Sequence, residues 1–167
     1  MKAFIVVVLI LGVCVAGYFF SGAFNVAASN PDGKIKRWLL SSVSDASIQR
    51  HSKGIAVPSL GSPEQLKVGF EHYSGMCEIC HGAPGKEPSG LARGLNPRPP
   101  RFSRGTDLEP QEIFWVTKYG IGMTGMPAWG STHTDEEIWD MVGFIQQLHK
   151  MTPEQYLAME QALPRKP

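Results

Sequence analysis

Cys77-Glu78-Ile79-Cys80-His81 is the stretch on which the reading of this 167-residue chain turns. Two thiols separated by two residues, with an imidazole directly after the second, suit three chemistries. A thioredoxin-like redox pair belongs in a strand–helix setting, and no strand pattern precedes Cys77. A zinc site needs two further thiols or imidazoles at matching spacing, and the chain has no second pair. Its third cysteine, Cys14, lies inside an apolar run and reads as packing. The remaining chemistry is covalent attachment of haem. Both thiols add across vinyl groups as thioethers, and the next residue presents its imidazole to the iron. Cys77, Cys80 and His81 are therefore expected to hold one c-type haem.

Working outward, the flanking chain reads as helices joined by loops. Ser62-Pro63-Glu64-Gln65 supplies an N-cap serine, a proline at the first helical position and a glutamine at the third. It predicts a helix from Pro63 to about Met76 with Leu66, Phe70 and Tyr73 on one face. Gly69 among them permits close approach of another backbone. Residues 82–105 hold more glycine and proline than a regular element tolerates and read as loop. Glu109-Pro110 opens a short helix that Gly120 ends, and residues 121–133 form a second loop. Thr134-Asp135-Glu136-Glu137 is a capping box followed by the stripe Ile138, Met141, Val142, Ile145 and Leu148. A last short helix starts at Thr152-Pro153. Nothing reads as a strand and no repeat appears, so the fold class is all-α.

An iron bound to one histidine has a second axial position to fill, and Met/His ligation is typical of cytochromes c. The candidates are Met123 and Met126, in the loop Ile121-Gly122-Met123-Thr124-Gly125-Met126-Pro127-Ala128-Trp129. Glycine turns and a stiff proline hold a thioether without a helix, and Met126, between Gly125 and Pro127, fits better. The alternative is a core methionine, since methionine fills gaps readily. Met76 is too near the attachment site to reach the opposite haem face. Met141 and Met151 have helical positions suited to packing. His51, His72, His133 and His149 have no ligand-like spacing and read as exposed or packing.

At the other end, residues 3–20 carry no charged or strongly polar side chain. As a helix they would span roughly 27 Å, close to a bilayer's hydrocarbon core. The run is longer than a usual signal h-region, which favours an uncleaved anchor, while Val26-Ala27-Ala28 offers a cleavage site. Beyond it, Ile35, Trp38, Leu39 and Val43 make one helical stripe near Lys34, Lys36 and Arg37. That segment either lies on a membrane surface or packs on the downstream domain. The expected organisation is a transmembrane helix over residues 1–22, a linker with an amphipathic helix over 23–61, a haem domain over 62–150, and a short helix and tail over 151–167.

Over residues 63–149 the chain resembles the monohaem class I cytochrome c family. The resemblance rests on Gly69 and Tyr73, on Cys77, Cys80 and His81, on Met126-Pro127 and on the helix after Thr134. It implies a compact helical fold around one covalent haem. First and last helices would cross near Gly69, with Phe70, Tyr73 and Trp139 or Val142 at the contact. In this family a proline carbonyl after the attachment motif accepts the N–H of the proximal imidazole. Asn96-Pro97-Arg98-Pro99-Pro100 offers three such prolines, of which Pro100 is preferred. That bond would orient His81 and raise its basicity.

Sixteen basic against fifteen acidic residues give a net charge of +1, which argues against nucleic acid as partner. With both axial positions filled, the iron has no open site for a substrate, and no Ser/His/Asp set appears. The expected function is single-electron transfer, from an anchor in the bacterial inner membrane with the haem domain in the periplasm. Its partners would be membrane or periplasmic redox proteins: a dehydrogenase, a cytochrome complex or a terminal oxidase, with the chain either a free carrier or a fixed subunit. The other class is a haem enzyme or a gas or redox sensor in which Met126 dissociates. Between residues 86 and 104, Lys86, Arg93, Arg98, Arg101 and Arg104 stand against Glu87 alone. They form either a solvated loop or a basic rim that neutralises haem propionates or steers an acidic partner.

Overall fold

In the computed structural model residues 1–163 are described, and every regular element among them is helical. The tail expected at residues 164–167 lies outside the described residues. Residues 1–32 form one unit and the chain from Gly33 onward a second. The first is helix α1, Lys2–Phe20, with no buried side chain. It is long and apolar enough to cross a membrane. At its end the rings of Tyr18, Phe19 and Phe24 gather, with Phe19 and Phe24 5.0 Å apart.

The second unit opens with α2, Lys34–Ser52. Its last turns dock on the helix α6, Pro110–Tyr119: Ile48 and Ser52 are buried, and the His51 ring stacks on Trp115 at 5.5 Å. Ile35, Trp38, Leu39 and Val43, the stripe read from the sequence, remain exposed and take no part in that docking.

Helix α3, Pro63–His72, starts on the expected capping box: the Gln65 N–H donates to Ser62 Oγ at 3.2 Å, and Gln65 Oε1 accepts from the Ser62 N–H. The α-helical turns stop four residues before Met76. A π-turn, Tyr73–Cys77, follows and leads into α4, Glu78–His81. Two one-turn helices interrupt the long loop, α5 (Gly90–Arg93) and a 3-10 turn (Phe102–Arg104). Helix α6 ends at Gly120, whose φ of 69° is the left-handed conformation that glycine adopts freely. After a 3-10 turn at Trp129–Ser131 come α7, Asp135–Leu148, and α8, Pro153–Ala162. Both are opened by complete threonine capping boxes, each worth about 1 kcal/mol.

Helices α3 and α7 cross at Gly69. A Cβ on Gly69 would overlap the Asp140 carbonyl and lie 2.8 Å from Phe144 Cβ. The rings that seal the crossing are Phe70 and Tyr73 against Phe144, at 5.5 and 5.4 Å. Val142 joins the same buried cluster, as the resemblance implies. Trp139 stacks on Phe114 of α6 at 4.2 Å. Helix α8 belongs to the same core. Tyr156 is fully buried with its ring against Phe70 at 5.2 Å.

Candidate functional site

The attachment segment is delivered by the π-turn. A π-turn inserts one residue into a helix, a feature found mostly at functional sites. It carries Cys77 as its last residue, so Cys80 and His81 fall in the short α4 behind it. Tyr73 pins the turn: its hydroxyl donates to the Gly82 carbonyl at 2.6 Å across the whole segment. Burial, followed by the neighbouring Cys77 and Glu78, pushes the Tyr73 pKa well up, so it stays a donor. Gly82, at φ 68°, then reverses the chain, and a Cβ there would lie 2.9 Å from the Lys86 carbonyl. Two backbone bonds between Ala83 and Lys86 close the reversal.

His81 is 7 % exposed, and its Nδ1 sits 2.8 Å from the Pro100 carbonyl. A carbonyl can only accept, so Nδ1 carries the proton and the lone pair resides on Nε2. Burial holds the His81 pKa below the usual imidazole range, against the opposing pull of the Pro100 bond. The ring is therefore neutral at physiological pH. Phe102 stacks on it at 4.5 Å, nearly parallel. Among the three prolines of the 96–100 segment, the geometry selects Pro100. Cys77 is buried, and its thiol is pushed up to about 12 by burial and then by Cys80. That pocket suits a neutral sulfur and opposes a thiolate.

The two loop methionines differ sharply. Met123 is 97 % exposed, at the loop tip, with a left-handed φ of 61°. Met126 is half-buried and its backbone is tied on both sides. Its N–H donates to Thr124 Oγ1 at 3.1 Å and its carbonyl accepts from the Ile121 N–H at 3.2 Å. A Cβ on Gly125 would lie 2.7 Å from both methyls of Leu95, which would have to move aside. Gly120 is closed by backbone, with the Met126 carbonyl 2.8 Å from where a Cβ would stand. Met141 is a fully buried core residue, and Met76 and Met151 pack against the core. His51 stacks on Trp115, while His72 and His133 meet edge-on at 5.1 Å.

A further set of residues stands behind the attachment segment, with no local pattern in the chain to mark it. Glu78, between the two cysteines, accepts from the Tyr156 hydroxyl at 2.7 Å through Oε2 and from Lys86 Nζ at 3.0 Å through Oε1. Lys86 also reaches Glu160 Oε1 at 2.6 Å. Lys86 is thus neutralised by carboxylates from two helices and does not serve as an uncompensated member of a basic rim. Its pKa is lowered by desolvation but raised overall by Glu160 and Glu78. Deleting the hydroxyl with Tyr156→Phe should cost about 1–3 kcal/mol, as expected for a lost bond to a charged acceptor. Chemical denaturation of wild type, Tyr156→Phe, Glu78→Gln and the double variant should show sub-additive losses, because the two groups share one bond. Additive losses would mean that they act separately.

Arg101, directly after Pro100, pairs with Glu87 through Nη1 at 2.6 Å, yet its buried Nε has no hydrogen-bond partner among the described residues. A buried donor left unmet costs about 1–3 kcal/mol, so such an atom asks for an acceptor from a bound group. The residues present fit a covalently held haem. They supply a neutral imidazole with a free Nε2 lone pair, two thiols without a disulfide, a fixed thioether loop and an orphaned guanidinium donor suited to a propionate.

Comparison with known proteins agrees. Residues 64–145 match the family described as cytochrome C oxidase, cbb3-type, subunit III. No curated protein matches the chain significantly. The match begins one residue into α3 and stops within α7, so it holds the Gly69 crossing, the attachment segment and the methionine loop. Together with the all-helical architecture, the match supports a class I c-type cytochrome domain over residues 64–145, with a haem-binding electron-transfer role.

Proposed function

We propose that this chain is a single-electron carrier with one haem, fixed by thioether bonds from Cys77 and Cys80 and ligated axially by His81 and Met126. The observation that carries the reading is the His81 imidazole, sequence-adjacent to Cys80 and committed through Nδ1 to Pro100, which leaves Nε2 directed to metal binding. When bound, the haem supplies the one-electron Fe(III)/Fe(II) couple. Pro100 holds the imidazole in one tautomer and raises its basicity. Met126 offers a soft neutral sulfur, which favours the reduced state and a high potential. Arg101 Nε–H is suited to donate to a haem propionate, its missing acceptor. These residues would hold the group in place and orient its ligands.

The anchor would be α1, in the bacterial inner membrane, with the haem domain in the periplasm. The family description names an oxidase subunit, which supports membrane redox complexes as partners, a terminal oxidase foremost. Covalent attachment is tested directly. Haem should remain with the polypeptide after acid–acetone extraction and denaturing electrophoresis, and the intact mass should exceed that of the apoprotein by one haem. Extractable haem, or two alkylatable thiols at Cys77 and Cys80, would overturn the reading.

A further inference from the structure

Helix α2 has two opposite faces. At 3.6 residues per turn, Ser44, Ser47, Ile48, His51 and Ser52 fall on one side. That side meets the haem domain: Ile48 is 5 % exposed and the His51 ring stacks on Trp115. Ile35, Trp38, Leu39 and Val43 fall about half a turn round the axis. They are exposed, as is every residue from 33 to 43, with Ile35 81 % and Trp38 67 %. The large apolar side chains occupy only the first half of the helix. Further along the same side stand Ala46, Gln49 and Arg50, all exposed. Lys34, Lys36 and Arg37 crowd the first turn. The helix is therefore apolar and basic at the end nearer in sequence to α1, and polar at the end that grips the haem domain.

A haem domain in water gains nothing by exposing a tryptophan and three large aliphatic residues on one stripe. A bilayer surface accepts all of these features at once. Its acyl-chain boundary takes the aliphatic side chains, its headgroup layer takes the amphipathic tryptophan ring, and its anionic lipids take basic groups. Continuity of the chain supplies the membrane. Thirteen residues separate α1 from α2, so their ends lie within about 45 Å of each other even if fully extended. Tethering at that range raises the effective concentration of α2 at the surface, so even a weak interfacial affinity is satisfied.

We propose that residues 34–43 lie in the headgroup layer of the membrane that α1 spans, with Ile35, Trp38, Leu39 and Val43 turned toward the acyl chains. The proposal rests on α1 serving as the anchor. Its consequence is mechanical. The Ser44-to-Ser52 half of the same rigid helix holds the haem domain, so the domain sits beside the membrane surface and cannot range freely on its linker. It then meets membrane-embedded partners in a restricted orientation.

The test uses the full-length holoprotein with Cys14→Ala, reconstituted in phosphatidylethanolamine/phosphatidylglycerol vesicles. A nitroxide is attached at Leu9→Cys, Leu39→Cys or Gln49→Cys, one per sample. Positions 9 and 39 should be open to oxygen and shielded from an aqueous nickel chelate, with position 49 the reverse. Nickel access at 39 equal to that at 49, with 9 still shielded, overturns the proposal while leaving the anchor intact. Nickel access at 9 removes the anchor and the proposal with it. A photo-crosslinking residue at position 39 in native membranes gives the second readout. Lipid adducts support the interfacial placement; a protein adduct of discrete mass assigns the stripe to a partner subunit and overturns it.

Discussion

Gly69→Ala is expected to lower the stability of the haem domain by about 3 kcal/mol, the upper part of the range for forced overpacking. The added methyl would overlap the Asp140 carbonyl and press on Phe144 Cβ, and both belong to α7. Neither obstacle is the free end of a flexible side chain, so the helices must separate. Separation loosens Phe70 and Tyr73 from Phe144, and Tyr73 is the residue that pins the attachment segment to Gly82. Against a total stability of roughly 5–15 kcal/mol the loss is severe. It should appear as a fall in Tm on the order of 10 °C by circular dichroism of the detergent-solubilised holoprotein. Gly75→Ala is the control. Nothing lies within 4 Å of a Cβ there, so stability should hold or rise slightly. Equal effects at the two glycines would show that the crossing is not sensitive to close approach.

Met126→Ala should abolish the thioether-to-iron charge-transfer band of the oxidised protein. It should also lower the reduction potential, by on the order of 0.2 V within the ~0.8 V that axial ligands command. Met123→Ala should change neither. A ligand sulfur must be held at one place, and the Met126 backbone is fixed by Thr124 and Ile121. Met123 stands almost wholly in solvent. Carbon monoxide separates the carrier from a sensor or enzyme. Reduced wild type should not bind it readily, whereas reduced Met126→Ala should. Ready binding by wild type would favour the class in which Met126 dissociates. A lost band in Met123→Ala with Met126→Ala unaffected would move the ligand to Met123.

The helices were legible because their ends carry local chemistry. Ser62, Thr134 and Thr152 each accept a bond from a backbone N–H three residues on, and that spacing is visible in the chain itself. Gly120 and Gly82 mark stops for the same kind of reason, a backbone angle that glycine takes freely. The π-turn at Tyr73–Cys77 was not legible, since no residue type marks the insertion of one extra residue in a helix. The stacking of the Trp139 ring on Phe114 of α6 was not legible either, since it joins two helices distant in the chain.

The proposed attachment segment was readable from the chain alone. Thioether formation and iron ligation would need two cysteines and a histidine within five consecutive positions, and the run Cys77 to His81 shows that pattern without any knowledge of the fold. The preference for Met126 over Met123 likewise came from the glycine and proline on either side. The tertiary structure alone decided which residues stand behind that segment. The pairing of Glu78 with Tyr156 joins positions 78 residues apart, and that of Lys86 with Glu160 joins positions 74 apart. The bond from His81 Nδ1 to the Pro100 carbonyl, and the exposure of the α2 stripe, likewise appear only in three dimensions. Each depends on how the helices close over one another, and helix closure is set by packing across the whole core, which no local spacing encodes.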